Sequence, residues 1–536
     1  MKAKTSAKQA STREANQLQS RSGYVRRDPA QAAALARVRV PLVLGIMLLA
    51  CYSFFFYTYA NWNINTRLAL THAIVDRHTL AIDDYQQLKG AGTMDKAYFN
   101  GHYYCDKAVG ASFLGVPAYW LFRELAGTSP HSIIADVRGV LGNHVISIAT
   151  TALPSAIAGV LFFFLLGYIT PLLAPRIWLT LAYGLGTIAF PYATMFFGHQ
   201  TAAAFGFIAF FLLFRMRHKR WSHWGALGAG VLVGYSLITD FLSLVVALGL
   251  FCYAGVTLWQ QREGSLVRRL LPLAPFCLGV LAPLPLQLWY NWACFGNPLA
   301  SGYQYEVLSQ FSKGMSQGLM GITWPKLDAL FQLTFGPQRG IFHDSPWLLF
   351  TIPGAYLMLR RRKQPTSPKP APVPDAPSTA GTDLFTRFRL EGWLSIGIVV
   401  LTLLLNSGYY LWWGGACYGA RFAIVVLPFM ALLAFFAIYR APKAFMILAA
   451  FSILLNFVVV VNSPLIAESS PDPIYEGTLR DLFAKLHTAT SLYNFNVMFY
   501  FNVIGLTSVI PLVGFIAGCL LYLKSLSWQR VTPHKS

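Results

Sequence analysis

Twelve apolar runs, at 40–60, 143–168, 177–195, 200–214, 224–239, 241–258, 270–291, 346–360, 392–411, 421–439, 443–461 and 500–523, succeed one another along a chain of 536 residues. A bilayer asks for roughly 20 apolar residues per helical crossing, and in lipid each crossing must satisfy its own backbone hydrogen bonds. Hydrophobic residues make up 55% of the sequence, charged residues 12%, and mean hydropathy is +0.49. A water-soluble fold of this size would lack the polar side chains to cover its surface. The chain is therefore expected to be an all-α polytopic membrane protein with about 12–13 transmembrane helices. Disordered, collagen-like and solenoid classes are excluded by the same composition and by the absence of a regular repeat. Seven cysteines, an odd number without paired metal-ligand spacing, suit neither a secreted disulfide framework nor a zinc site.

A formal charge of +21 raises the question of nucleic acid, and the positions of the charges answer it. Basic residues cluster in the arm before the first apolar run, at Arg215 to Arg220, Arg262 to Arg269, Arg360 to Lys363, Arg440 with Lys443, and in the tail with Lys524, Arg530 and Lys535. This is the positive-inside pattern rather than a basic face interleaved with exposed aromatics, so no nucleic-acid partner is expected. Residues 1–39 read as a basic cytoplasmic arm leading into a start-anchor, and 40–360 as a membrane module with outer loops 61–142 and 292–345. A Pro-rich cytoplasmic linker follows at 361–389, then membrane helices over 390–523 with an outer loop at 462–499, and a cytoplasmic tail at 524–536. A bacterial-type inner membrane with both termini cytoplasmic is the expected location. The extra apolar run 111–125 would upset this sidedness if it crossed, so it is expected to be a juxtamembrane or re-entrant helix on the outer side.

Outer loop 61–142 concentrates Asp76, Asp83, Asp84, Asp95 and Asp106 beside Lys96 and Lys107, with Tyr103 and Tyr104, expected sugar or acceptor contacts, between them. A carboxylate can take a proton from an attacking hydroxyl and a cation can steady phosphate charge, so the set suits chemistry at a lipid-linked phosphate. The same residues would equally suit a solvated loop.

The run FNGHYYCDKAVGASFLGVPAYWL resembles the polyprenyl-phosphate-dependent membrane glycosyltransferases, the group that includes protein O-mannosyltransferases and the aminoarabinose transferase of lipid A. PYATMFFGHQTAAAF, NWACFGNPLASGYQYE, FGPQRGIFHDSPWLLF and YYLWWGGACYGARFAIVVLPF extend the resemblance from about residue 61 to 440. It implies a GT-C fold with an outer-face site under the first loop. Transfer of a sugar from a polyprenyl phosphate to an acceptor hydroxyl, usually with inversion, is implied as well. By position, Lys107 matches the lysine that meets the lipid phosphate, and Arg138 an arginine opening the following helix. Several relatives use a divalent ion, which single carboxylates here could bind; no metal ligand set is assigned and no other cofactor is expected.

One departure matters. Relatives carry an acidic pair just after the first membrane helix, whereas this chain has Asn63, Ile64, Asn65 and Thr66 there. An amide takes no proton at neutral pH. Asp84 and Asp106 are the expected substitutes, with Asp83 and Asp95 behind them.

In the second outer loop, Arg339 offers a bidentate phosphate contact or a headgroup-snorkelling helix end, and Asp344, before Pro346, reads as a helix cap. In WWGGACYGARF, the rings of Trp412, Trp413 and Tyr418 read as a sugar platform or as an interfacial belt. Arg421, costly to place against lipid, is expected to face a cavity and join the phosphate site. Asp240 and His199 at outer helix edges read as partners for neighbouring helices. No nucleotide-binding fingerprint occurs in a fitting context. The expected partners are a polyprenyl-phosphate-linked sugar, an acceptor that is protein, lipid or polysaccharide, and the bilayer. A transporter or lipid flippase and a non-catalytic glycan-binding relative are the competing classes, though the polar residues gather in outer loops rather than in repeat-related helices.

Overall fold

A computed structural model describes residues 29–56, 61–87, 92–127, 137–360, 387–488, 495–503 and 505–528. The arm up to residue 28, linker residues 361–386 and the tail from 529 lie outside the described residues. The chain is an all-α polytopic membrane protein. Among the described residues, eight helices are long and apolar enough to cross a membrane: Gly139–Ile169, Gly198–His218, Phe241–Gln261, Leu266–Phe295, Arg389–Gly408, Arg421–Ile438, Pro442–Asn462 and Leu506–Leu526.

Three of the twelve runs give something shorter. Run 40–60 continues helix Pro29–Phe54, of 26 residues, and run 346–360 forms the apolar helix Pro346–Leu359. Run 224–239 becomes His223–Thr239, at 17 residues. Run 177–195 breaks into Leu173–Leu185 and Ala189–Ala193. Pro191 explains the break, because it lacks an N–H and its ring would clash with the carbonyl four residues back, that of Thr187. Backbone freed at this depth needs a partner inside the protein, and the Trp347 indole N–H supplies one by donating to the Gly186 carbonyl at 2.8 Å.

Helices before and after the linker share one hydrophobic core. Arg389–Gly408 packs on Leu244–Gln261, and Thr351–Leu359 packs on Leu427–Ile438. Buried Glu391 fixes the first helix after the linker, accepting from the Tyr253 hydroxyl at 2.7 Å and pairing with Arg217 at 3.2 Å.

The segment expected to form the first outer loop is structured. Asn61 caps helix Trp62–His72 by accepting from the Asn63 N–H, and residues 63 to 72 are all buried. Helix Gly110–Ala126, which covers the run 111–125, packs against it and against Val137–Ser147. Arg123 locks that contact, donating to the Val75 carbonyl at 2.7 Å and pairing with Asp76 at 3.2 Å. Sheet structure among the described residues is confined to two short antiparallel pairs, Phe55–Phe56 with Phe495–Asn496 and Ala97–Phe99 with His102–Tyr104.

Candidate active site

The hairpin Ala97–Phe99/His102–Tyr104 carries the chain into Cys105, Asp106 and Lys107. Its turn is Asn100-Gly101, with φ of 50° and 90°, the positive-φ pair that a two-residue hairpin turn selects. Asp83 braces it from outside, accepting from the Tyr103 N–H at 2.7 Å and pairing with His102 at 2.8 Å. Asp84 is exposed and paired with Arg77 at 3.1 Å. Of Asp84 and Asp106, the two expected substitutes, only Asp106 meets Lys107, and of the two behind them Asp95 does.

Beneath the hairpin lies a cavity of about 1030 Å³, walled by helix Trp62–His72, residues 92–108, the start of Gly198–His218, residues 239–244, 303–322 and 409–422. Lys107 lines it, with its ammonium 2.7 Å from Asp106 and 3.4 Å from Asp95, over the Tyr303 ring at 5.1 Å. Burial works against that charge, but Asp106, Asp95, Tyr303 and Glu306 together hold the Lys107 pKa well above its ordinary value. Burial raises the Asp106 carboxyl, while Lys107 and a hydrogen bond with Glu306 oppose the rise. Asp106 stands behind Lys107; the carboxyl groups of this cluster that line the cavity belong to Asp95 and Glu306.

Glu306 is pushed up to about 8, by burial first and by Asp106 and Asp95 after it, against Lys107. It keeps its proton at neutral pH in the folded chain, whereas the unfolded chain releases it near the ordinary value of 4.5. The folded state thus binds the extra proton between those two values, and this contribution to stability, complete at acid pH, is lost as pH rises through about 8. Thermal denaturation in detergent is expected to show a midpoint that falls from about pH 6 to about pH 9, with Glu306→Gln removing most of the slope. An unchanged slope in the variant would assign it to other groups.

Two further cations line the cavity. Arg67 shares a helix face with Asn63, four residues earlier; its Nε donates to Asn63 Oδ1 at 3.2 Å and one terminal nitrogen to the Ala108 carbonyl at 2.8 Å. Arg421 lies over the rings of Phe422 at 4.8 Å and Phe197 at 5.4 Å, and its Nε has no hydrogen-bond partner among the described residues. Arg67 is 4% exposed and Arg421 9%, and neither has a carboxylate within ion-pair distance among the described residues.

Next to them His199 Nδ1 meets Asp240 Oδ2 at 2.7 Å. Gly198 allows this approach, since a Cβ there would come 2.6 Å from the Thr239 carbonyl oxygen and 3.4 Å from the Arg67 guanidinium carbon. Sequence reading set this pair aside as ordinary helix contacts, and their 41-residue separation hid that they pair with each other. Arg67, Asp95 and Glu306 likewise gain weight only from the cavity.

Other expected residues are engaged elsewhere. Arg339 is fully buried and donates to the carbonyls of Trp413 at 2.7 Å, Gln338 at 2.7 Å and Gly415 at 3.0 Å. It pins the 411–415 turn and does not line the cavity. Tyr103 and Tyr104 lie on the hairpin outside the cavity wall, and Trp412 packs against the core. Trp413 donates its indole N–H to Glu468, Tyr418 is buried under Tyr192, and the tyrosines that do line the cavity are Tyr303, Tyr409 and Tyr410. Arg138 falls in helix Val137–Ser147, with its side chain outside the described residues. Asp344 does not cap the next helix: its carboxylate turns to His343, 3.4 Å away, and Ser345 takes the cap position. Among the described residues, no group of three or more His, Cys, Asp or Glu side chains is arranged to hold a metal.

No family model matches the chain, and no curated protein sequence matches it. Solved structures similar to it include two of one protein. ArnT from Cupriavidus metallidurans in the apo state aligns with TM-score 0.46 and 13% identity over 93% of this chain and 78% of that one. The same protein bound to undecaprenyl phosphate aligns with TM-score 0.42 and 13% identity over 94% of this chain and 78% of that one.

Proposed function

We propose that this protein is a GT-C-type glycosyltransferase of the inner membrane that moves a sugar from a polyprenyl phosphate to an acceptor hydroxyl on the outer face, with inversion at the anomeric carbon. The observation that carries the reading is the pair Arg67 and Arg421, buried in one cavity without carboxylate partners among the described residues. A buried guanidinium left unpaired is costly, and an anion entering the cavity relieves the cost. Lys107, across Tyr303, adds a third positive charge at the same wall.

The apolar side of the cavity supports a lipid-borne anion. Phe241 and Leu244 line it at the start of a membrane-length helix and are 39% and 52% exposed, so an isoprenoid chain can lie in the bilayer while its headgroup enters sideways. Tyr409 and Tyr410 give flat faces for a pyranose. The phosphate ester already holds the energy of transfer, which agrees with the lack of a nucleotide-binding fingerprint. Holding both reactants at one surface supplies much of the acceleration.

Purified protein in liposomes, given a panel of labelled polyprenyl-phosphate hexoses and pentoses, is expected to release free polyprenyl phosphate. Movement of intact donor between leaflets without bond cleavage would instead identify a flippase and overturn the reading.

A further inference from the structure

We infer that His199, oriented by Asp240, is the base that deprotonates the acceptor hydroxyl; the inference rests on the transfer reaction proposed above. The tautomer follows from the partners of Asp240. One of its oxygens meets His199 Nδ1 at 2.7 Å and the other accepts from the Leu242 N–H at 3.2 Å. The carboxylate therefore acts only as an acceptor, the imidazole proton sits on Nδ1, and Nε2 keeps its lone pair. Nε2 is buried and has no hydrogen-bond partner among the described residues, and the ring belongs to the cavity wall. Phe197 stacks along the ring at 6.1 Å and Phe422 meets it edge-on at 5.3 Å, which fixes its plane.

The remaining proton acceptors along the cavity are committed elsewhere. Asp95 is paired with the Lys107 ammonium. Glu306 already carries a proton, and Glu468 accepts from the Trp413 indole. Asp240 has both oxygens engaged. Where the resemblance leads one to expect carboxylates, Asn63 accepts from Arg67 and Asn65 donates to the Gly92 carbonyl. His199 thus supplies the lone pair that the asparagines cannot.

In the step itself, the acceptor O–H proton passes to His199 Nε2 as the oxygen bonds to the anomeric carbon. The bond from that carbon to the phosphate oxygen breaks, and its electron pair stays on the phosphate. Arg67 and Arg421 meet the phosphate charge. The imidazolium, held by Asp240, later gives its proton to water. Asp240 is a positioning residue, and the charged groups facing the ring are Asp240, Arg67 and Arg421.

The test uses the full chain in liposomes with the labelled donors. His199→Gln is expected to bind polyprenyl phosphate as the parent does while single-turnover transfer slows by ~10²–10⁴-fold, the usual contribution of a general base. Parental transfer should fall toward acid pH as the imidazole is protonated, and that limb should be missing from the residual rate of the variant. Imidazole added to His199→Ala should restore part of the rate. Asp240→Asn should slow transfer and shift the acid limb while leaving the imidazole in place, so it decides the matter even if the His199 variants fail to fold. Four outcomes would overturn the inference: near-parental transfer by His199→Gln, an acid limb that persists in it, parallel loss of lipid-phosphate binding, or an Asp240→Asn profile identical to the parent's. Absence of transfer by the parent defeats the glycosyltransferase reading itself, whereas parental transfer with an unaffected His199→Gln defeats only the assignment of the base.

Discussion

Replacing Arg421 by alanine is expected to raise the concentration of polyprenyl phosphate needed for half-saturation by roughly 30-fold to several thousand-fold. The range corresponds to the ~2–5 kcal/mol lost when one partner of a buried, hydrogen-bonded charge pair is removed. Arg421 is placed for so large an effect because its Nε has no partner and its guanidinium lies over Phe197 and Phe422, so little water competes with a phosphate. Arg421→Lys keeps the charge and loses the planar fork, and should recover only part of the affinity. Arg339→Ala provides the contrast: it removes two carbonyl contacts of the 411–415 turn, with a third to Gln338, and should lower thermal stability. Titration of the lipid phosphate into each purified variant gives the answer, and unchanged affinity in Arg421→Ala would remove this arginine from the phosphate site.

Lys107→Met is expected to be the more destructive change for the fold. The methionine retains most of the apolar stem but leaves Asp106 and Asp95 facing each other without the ammonium that lies 2.7 and 3.4 Å from them. Breaking a buried pair by removing one partner costs about 3–5 kcal/mol, since the other charge stays desolvated. Removing the stranded charge as well, in Lys107→Met with Asp106→Asn, should return part of the stability, because an amide can be buried more cheaply than a carboxylate. Donor saturation should weaken more than acceptor saturation in Lys107→Met. Thermal midpoints of the single and double variants together with donor titrations test both parts. A single variant as stable as the parent would mean that water reaches the cluster and screens it.

Much of this architecture was legible along the chain. The apolar runs announced an all-α membrane protein because length and hydropathy are local properties, and eight described helices meet the requirement. The adjacency of Asp106 and Lys107 in the chain was readable, whereas the 2.7 Å contact of their side chains depends on the bend at Lys107, since an extended strand would point them to opposite faces. Run 177–195 is helical but interrupted, since hydropathy does not register what Pro191 does to the helix.

The roles of the polar residues were decided elsewhere. Arg339, after a Gly-Pro turn, and Arg421, after a glycine-rich stretch, look alike in sequence, yet one is consumed by three carbonyls and the other keeps an unshared nitrogen. His199 and Asp240 each looked like a lone polar residue at a helix edge until the close packing at Gly198 set them 2.7 Å apart. Sequence alone determined that this is an all-α polytopic membrane protein, because hydropathy depends on composition within one stretch of chain. Tertiary structure decided which charges are paired and which are left for a ligand, because pairing depends on distances of a few ångströms between segments that the sequence holds far apart.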